Sequence, residues 1–479
     1  MQMRKSLFTR LILFLTAAVI VPSTLSAPSS TQPTAEAVAQ GVPTVTAEML
    51  AQFEAMTQEE LDYFHIPGAA VAVVQDDEIV YARGFGVRDL ETGAPFTTQT
   101  QMRIGSTTKS MTSMMIATLV DDGLLNWDTP VTELLPGFAT PDAALTARLT
   151  VADLMSMETG LIATQPDAMY WDEMTSVDDL LAIVAHQRLE SDLHTRYSYN
   201  NEVYASVGYA GAAAAGLPVT LDSYRQLMQE RILTPIDMPS AVITDDHRLL
   251  SDNYAQVSYG YSLLDGTDQP SLNVDAPETL VAPAGGVWTH IEDMARYLIT
   301  QVTGGLTPGG RRIVSEESLA RTWQPGQAVM ERSPSQGNLY YAMGWVIAED
   351  AAPPYRTHSG GWKGYRTFMM VYPEARVGLI VFMNSMGADF LQNALGENFG
   401  QLLYGLEPSG FVGARAQFDM ISQQLQQLAA SVASPQVDPV AVAPLLGAYE
   451  HGWMLGCTTT IHSGWCDRIG PSTCCLCRG

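Results

Sequence analysis

An α+β fold follows from three features of this 479-residue chain: an antiparallel sheet flanked by helices, with a mostly helical domain inserted into it. Two apolar, β-rich hairpins, at residues 69–86 and 366–384, lie far apart in the sequence. The text between them is dominated by amphipathic segments at helical spacing. At 46% hydrophobic residues, a chain of this length can bury a large core shared by both parts.

The elements follow in order. Arg4, Lys5 and Arg10 precede the apolar run "LILFLTAAVIV" and the small-residue stretch "PSTLSA". That is the order of a secretory signal over residues 1–26, cleaved after Ser26, and the run is short for a membrane span. Residues 27–45 are rich in Pro, Ser and Thr and read as a flexible leader. A helix follows from about Thr46 to Phe64, with Met49, Leu50, Phe53, Met56 and Leu61 on its apolar side; Pro67 and Gly68 stop it. "AAVAVVQDDEIVYARGFG" is a hairpin turning at Asp76-Asp77, and "RTFMMVYPEARVGLIVFMN" is a second, turning at "PEAR". Both are apolar enough to be buried, so they belong in one sheet, covered by the first helix and by one near residues 389–404. "SVDDLLAIVAHQRL", "LDSYRQLMQERIL" and "HIEDMARYLITQV" are the inserted helices. Residues 406–445 read as a helix, at 414–431, and a linker. All five cysteines fall in residues 446–479, an odd number with no disulfide framework and no paired zinc spacing. Periodicity fades there too, so the tail reads as the product of a frame shift or an assembly error, foreign to the fold.

Charge narrows the partners. The chain carries 51 acidic and 25 basic residues, a net charge of −26. It repels nucleic acid and anionic membrane surfaces, so neither is expected as a partner. No metal-binding H-E-x-x-H or H-x-x-E-H, phosphate loop or dinucleotide fingerprint occurs, so no metal or cofactor is expected.

Lysine is scarce: only Lys5, Lys109 and Lys363 occur, and two of these survive signal removal. Lys109 stands three residues after Ser106, at the start of "STTKSMTSMMIATLVDDG". Residues three apart share a helix face. Serine is a weak nucleophile until a base takes its proton; a lysine buried at a helix N-terminus can be neutral and do so, whereas arginine cannot. S-x-x-K alone is a weak pattern, and serine also caps helices well. Two further pairs strengthen it: Tyr199 and Asn201 as Y-x-N, and His358 and Gly360 as H-x-G. A tyrosine beside a lysine can shuttle a proton to a leaving group, and asparagine can orient an amide or carbonyl. A glycine-rich strand edge admits a substrate backbone, and its amide with that of the serine can stabilise an oxyanion.

In this order and at these spacings, S-x-x-K, Y-x-N and H-x-G resemble the serine β-lactamase and penicillin-binding-protein superfamily, most closely its class C-like branch of β-lactamases, DD-peptidases, D-aminopeptidases and family VIII-type esterases. "PGAAVAVVQDDEIVYARGFGVRD", "PAGGVWTHIEDMARYL" and "GLIVFMNS" are similar as well, and the likeness spans residues 46–405. It implies a β-lactamase/transpeptidase-like fold. It also implies Ser106 as acylated nucleophile, Lys109 as its base and Tyr199 as general acid/base. Asn201, His358, Gly360 and Gly361 would be substrate-binding, and the amides of Ser106 and Gly361 an oxyanion hole. Three departures stand out. His358 replaces a lysine common in β-lactamases, which weakens a carboxylate site. Met157 replaces a common histidine, with an effect expected on structure more than chemistry. "LLGAYE" resembles the start of a small C-terminal β domain, of which the tail would be an aberrant remnant.

The expected function is an exported, secreted or periplasmic serine hydrolase that cleaves an ester or a D-amino-acid peptide amide through a Ser106 acyl-enzyme. A β-lactamase or DD-carboxypeptidase is the nearer alternative. A sensor acylated without turnover, or an inactive scaffold, is the more distant one. Lys363 is a candidate for binding a carboxylate or a solvated loop residue, and Trp362 for lining the acyl pocket or a surface aromatic; Tyr170 and Trp171 are candidates for a pocket wall, with ordinary packing the commoner role. Gly285 and Gly286 mark a turn near the site, and the scattered histidines His65, His186, His194, His247 and His290 carry no assigned role.

Overall fold

A computed structural model describes residues 42–163, 174–244, 249–250, 252–255, 258–261, 268–270, 280–330, 337–351, 353–362, 364–432, 448–450 and 458–460. The expected signal segment, Tyr170, Trp171, His247, Lys363 and the five cysteines lie outside these residues.

The first helix, α1 (Ala47–Tyr63), is capped by the Thr46 side chain, which accepts from the Met49 amide. Such a cap is worth about 1 kcal/mol. Strands β1 (Gly68–Gln75) and β2 (Glu78–Gly86) form the first hairpin. The central helix α2 (Thr108–Asp121) follows a tight turn at Gly105–Thr107 and ends before Gly123, whose φ is +70°. The capping boxes Thr150–Asp153 and Ser176–Asp179 start α3 (Val151–Ser156) and α4 (Val177–His186). Helices α5 (Asn201–Ala214), α6 (Leu221–Met228) and α7 (Ile291–Val302) follow.

The main sheet is completed by six later strands: β3 (Ala328–Met330), β4 (Leu339–Tyr341), β5 (Val346–Ala348), β6 (Tyr355–Trp362), β7 (Tyr365–Tyr372) and β8 (Val377–Met383). Their order across the sheet is β3-β4-β5-β6-β7-β8-β1-β2, with antiparallel neighbours throughout. The two hairpins therefore share one sheet. They meet at β1 and β8, from Ala69 opposite Met383 to Gln75 opposite Val377.

β1 and β8 are buried along nearly their whole length, so apolar residues occupy both faces instead of alternating. One face carries Ala70, Ala72, Val74, Ile380 and Phe382 into the core shared with the helical region. On the other face, α8 (Gln392–Leu403) packs against β7 and α1, with Gly396 over Phe368 and Phe399 edge-on to Phe53.

Three expectations need adjusting. The first hairpin is buried only in part: β2 is mostly exposed, because it ends the sheet and carries polar residues such as Glu78 and Arg83. α7 belongs to the sheet and not only to the helical insertion, since it packs on β8, β1 and β2 and places Leu298 against Gly378. Before the second hairpin the sheet gains β3 to β6. The first three of these have only three residues each, too few to display an alternation.

Residues 42–261 and 268–417 fall in one compact unit. α9 (Gly410–Val432) begins there, with Arg415 paired to Glu59 and Glu60. The described residues from 418 onward fall in a second unit. In it the short strands Ala448–Glu450 and Thr458–Thr460 pair antiparallel. Among the described residues no helix is long and apolar enough to cross a membrane.

Candidate active site

The turn that carries Ser106 is tied to the sheet. The Ile104 amide donates to the Val287 carbonyl (2.9 Å), and the Ile104 carbonyl accepts from the hydroxyls of Thr107 (2.8 Å) and Thr367 (2.7 Å). Two glycines permit this approach. Gly105 has φ +54°, and a Cβ there would lie 2.6 Å from the Gly361 amide nitrogen. A Cβ on Gly360 would stand 2.1 Å from the Ile104 carbonyl oxygen and 2.2 Å from the Thr367 hydroxyl. Gly360→Ala is therefore expected to push β6 off the Ser106 turn, at a cost of about 3 kcal/mol, the upper end of ordinary overpacking. A chemical denaturation curve with an unchanged midpoint would refute this.

The Ser106 hydroxyl is not spent on capping, since neither the turn nor α2 has a side-chain cap. Instead its Oγ lies 3.2 Å from Lys109 Nζ and accepts a 2.6 Å hydrogen bond from the Tyr199 hydroxyl. Lys109 is fully buried. Its other two partners are carbonyl oxygens, Asn201 Oδ1 at 2.7 Å and the Ala284 carbonyl at 2.9 Å. Burial drives the amine well below the ordinary lysine range, and the nearby Glu202 opposes that only in part. A neutral amine has two N–H bonds and one lone pair. The two carbonyls can only accept, so they take both N–H bonds, and the lone pair is left facing Ser106 Oγ. The arrangement can therefore remove the serine proton.

Tyr199 is 38% exposed, with its hydroxyl turned inward to Ser106. Burial of that end pushes the phenol above its usual value, and the bond to Ser106 pulls the other way. It stays protonated at neutral pH and can act as an acid.

The loop before α5 sets both Tyr199 and Asn201. Asn200 caps α5 by accepting from the Val203 amide (3.0 Å) and donates to Gln187 Oε1 (2.7 Å), while Gln187 donates to Glu202 (3.2 Å). Met157 is buried with φ +56°. Its carbonyl accepts from the Ser198 amide (3.0 Å) and its thioether from the Asn200 amide (3.1 Å), so it holds the residues on either side of Tyr199.

His358 and Gly360 are the buried positions of β6, while Ser359 and Gly361 are exposed. β5 pairs only with residues 355–357 of β6. His358 Nδ1 lies 2.6 Å from the Ser359 carbonyl and must donate to it, so Nε2 accepts from the Tyr341 hydroxyl at 3.1 Å. Burial first pushes the imidazole down to about 3, Lys109 acts in the same direction whenever its amine is protonated, and the Ser359 carbonyl pulls the other way. The ring is neutral at physiological pH. Trp362 stacks under the Arg103 guanidinium (3.8 Å), and Arg103 Nε donates to the Gly285 carbonyl (3.1 Å).

Ser106, Lys109, Tyr199 and Asn201 thus converge within hydrogen-bond distances, with Gly360 and Gly361 against the same turn and His358 behind it. Sequence reasoning missed the Ala284 carbonyl. It also missed Tyr204, whose hydroxyl donates to the Lys109 carbonyl (2.7 Å) and whose ring centroid is 5.5 Å from Nζ, and the stacked pair Tyr197 and Tyr341. A carbonyl leaves no mark in a sequence. Tyr204, five residues past Tyr199, was visible as text but not as a contact. Among the described residues no group of three or more His, Cys, Asp or Glu side chains is placed to hold a metal ion.

A family model described as beta-lactamase matches residues 53–398. The chain is 26% identical over 404 residues to "Penicillin-binding protein 4" of Amycolatopsis lactamdurans, covering 83% of this chain and 96% of that one. It is 24% identical over 359 residues to "Unguisins hydrolase ungD" of Aspergillus violaceofuscus, covering 70% of this chain but 61% of that protein's length. Among solved structures, the octameric penicillin-binding protein homologue from Pyrococcus abyssi superposes with a TM-score of 0.64 at 23% identity, covering 75% of this chain and 78% of that one. That likeness carries the fold.

Proposed function

The chain belongs to the beta-lactamase family of serine hydrolases, and we propose that it cleaves an ester or amide through an acyl-enzyme on Ser106. The observation that carries this reading is the buried Lys109 amine, which stands 3.2 Å from Ser106 Oγ with two carbonyl oxygens as its other partners. Oγ attacks the substrate carbonyl carbon while its proton passes to Nζ. The backbone amides of Ser106 and Gly361 hold the resulting oxyanion. When the intermediate collapses, the bond to the leaving oxygen or nitrogen breaks, and Tyr199 supplies that atom's proton and regains one from the Lys109 ammonium. Water then attacks the acyl carbon, its proton taken by the same pair; the bond from that carbon to Oγ breaks, the pair returns the proton to Ser106 Oγ, and the acid leaves.

Within this reading, the neutral His358 favours substrates that need no cation at that position: a carboxylic ester, or the amide of a D-amino acid whose leaving group carries no carboxylate. Export belongs to the proposal as well, supported by the charged, apolar and small-residue order of residues 1–26.

The test is steady hydrolysis of a p-nitrophenyl ester, a D-alanyl anilide, a D-Ala-D-Ala peptide and a chromogenic cephalosporin. The ester or the anilide is expected to exceed the last two in kcat/KM by about tenfold or more, the loss of one charged contact. A cephalosporin or D-Ala-D-Ala peptide turned over faster than both would overturn the preference. A stoichiometric Ser106 adduct without sustained turnover would favour a sensor.

A further inference from the structure

We propose that Tyr341, anchored by His358, is a positioning residue that holds the Tyr199 phenol on Ser106; this rests on the reading of Ser106 as the nucleophile.

Tyr199 sits in a loop and keeps more than a third of its surface open to solvent, yet its hydroxyl must stay 2.6 Å from Ser106 Oγ to transfer a proton. Something has to stop the ring from swinging outward. Tyr341 is placed to do so. Its ring stacks on Tyr197 (centroids 4.8 Å apart, planes at 28°) and meets Tyr199 edge-to-face (6.4 Å, 90°). It therefore grips both tyrosines of the Tyr197-Ser198-Tyr199 segment at once, and such aromatic contacts have strict geometric preferences.

Tyr341 is itself fixed. It is 1% exposed, its carbonyl accepts from the Gly326 amide (2.8 Å), and its amide donates to the Gln327 carbonyl (3.2 Å). Its hydroxyl donates to His358 Nε2, and His358 is locked in turn by the Ser359 carbonyl on Nδ1. The chain of contacts runs from β6 through β4 to the loop, so the rigid sheet sets the angle of a catalytic side chain carried on a loop. With both ring nitrogens engaged inside the protein, His358 acts through Tyr341 and has none left for substrate.

The test uses the full chain with Tyr341→Phe, His358→Leu, His358→Gln and the double variant Tyr341→Phe/His358→Leu. Each is assayed on a neutral ester and on a carboxylate-bearing peptide. Misplacing a proton-transfer group by a fraction of an ångström is expected to lower kcat by about 10- to 100-fold in Tyr341→Phe and His358→Leu. KM should stay within about twofold on both substrates, since ground-state binding is untouched. His358→Gln, which can still accept from Tyr341, should recover most of kcat. The double variant should be no worse than the poorer single one, because the two residues act as a unit. A KM increase confined to the carboxylate-bearing peptide would make His358 a substrate-binding residue and overturn the proposal. Multiplicative losses in the double variant, or a kcat that falls only in step with melting temperature, would overturn it too. Mass spectrometry of the ester reactions separates the two levels: no Ser106 adduct in the wild type sinks the nucleophile reading itself, whereas equal acylation rates in wild type and Tyr341→Phe sink only the positioning role.

Discussion

Ser106→Ala is expected to reduce kcat by roughly 10⁴-fold or more while leaving the fold intact. The magnitude follows from the geometry around Oγ: Tyr199 donates to this atom, and the Lys109 lone pair faces it. A methyl group can neither attack a carbonyl nor pass on a proton. The structural cost is small, because Ser106 is partly exposed and caps no helix. Lys109 keeps its two carbonyl partners in the variant. The melting temperature should therefore move by only a few degrees, the equivalent of about 1 kcal/mol or less. The measurement is ester hydrolysis with mass spectrometry of the trapped acyl-enzyme. Residual turnover above about one part in a thousand of wild type, from a folded and pure sample, would place the nucleophile elsewhere.

Lys109→Arg is the sharper experiment, because it keeps a long basic side chain at the position but cannot supply a neutral amine. Arginine stays protonated throughout the accessible pH range. A loss of roughly 10³-fold or more in kcat/KM is expected, about 4 kcal/mol of transition-state stabilisation. The pH profile carries the diagnosis. In the wild type, burial holds the lysine pKa well below its ordinary value. Above that depressed pKa the amine is neutral and works as a base; below it the amine is protonated and the rate falls. The wild type should show an acid-side limb from this group, and Lys109→Arg should lose it along with the activity. A variant that kept both the limb and the rate would remove Lys109 from the mechanism. Full burial also means that the larger guanidinium must displace neighbours, so a melting curve accompanies the assay.

The sequence yielded what is written in side chains and spacing. Ser106, Lys109, Tyr199 and Asn201 were legible because nucleophilic chemistry needs those residue types, and lysine scarcity made Lys109 conspicuous. The two hairpins were legible because β1 and β8 are continuous apolar runs. Other features were not. The Ala284 carbonyl that orients Lys109 would be the same atom in any residue. The strands β3 to β5 are too short to show a period, so three of the eight strands of the sheet were hidden. His358 was recognised by its position in a motif, but its neutrality depends on Tyr341 and on burial, both set by tertiary packing. Met157 was noticed as a departure, and its structural effect became specific only once its thioether and carbonyl were found beside Ser198 and Asn200.

The pairing of β1 with β8 also bears on how the chain reaches this state. The Gly68 amide finds the Asn384 side chain across 316 residues, and the whole β1–β8 ladder spans a comparable distance. During synthesis the first hairpin emerges early with one long apolar edge unpaired, and it must wait for almost all of the remaining catalytic unit before β8 arrives. Closing so large a loop makes folding slow and exposes the unfinished sheet to association. A product that ends between residues 362 and 376 lacks the strand that joins the two hairpins. It has every residue of the site, from Ser106 to Gly361, and no completed sheet to hold them.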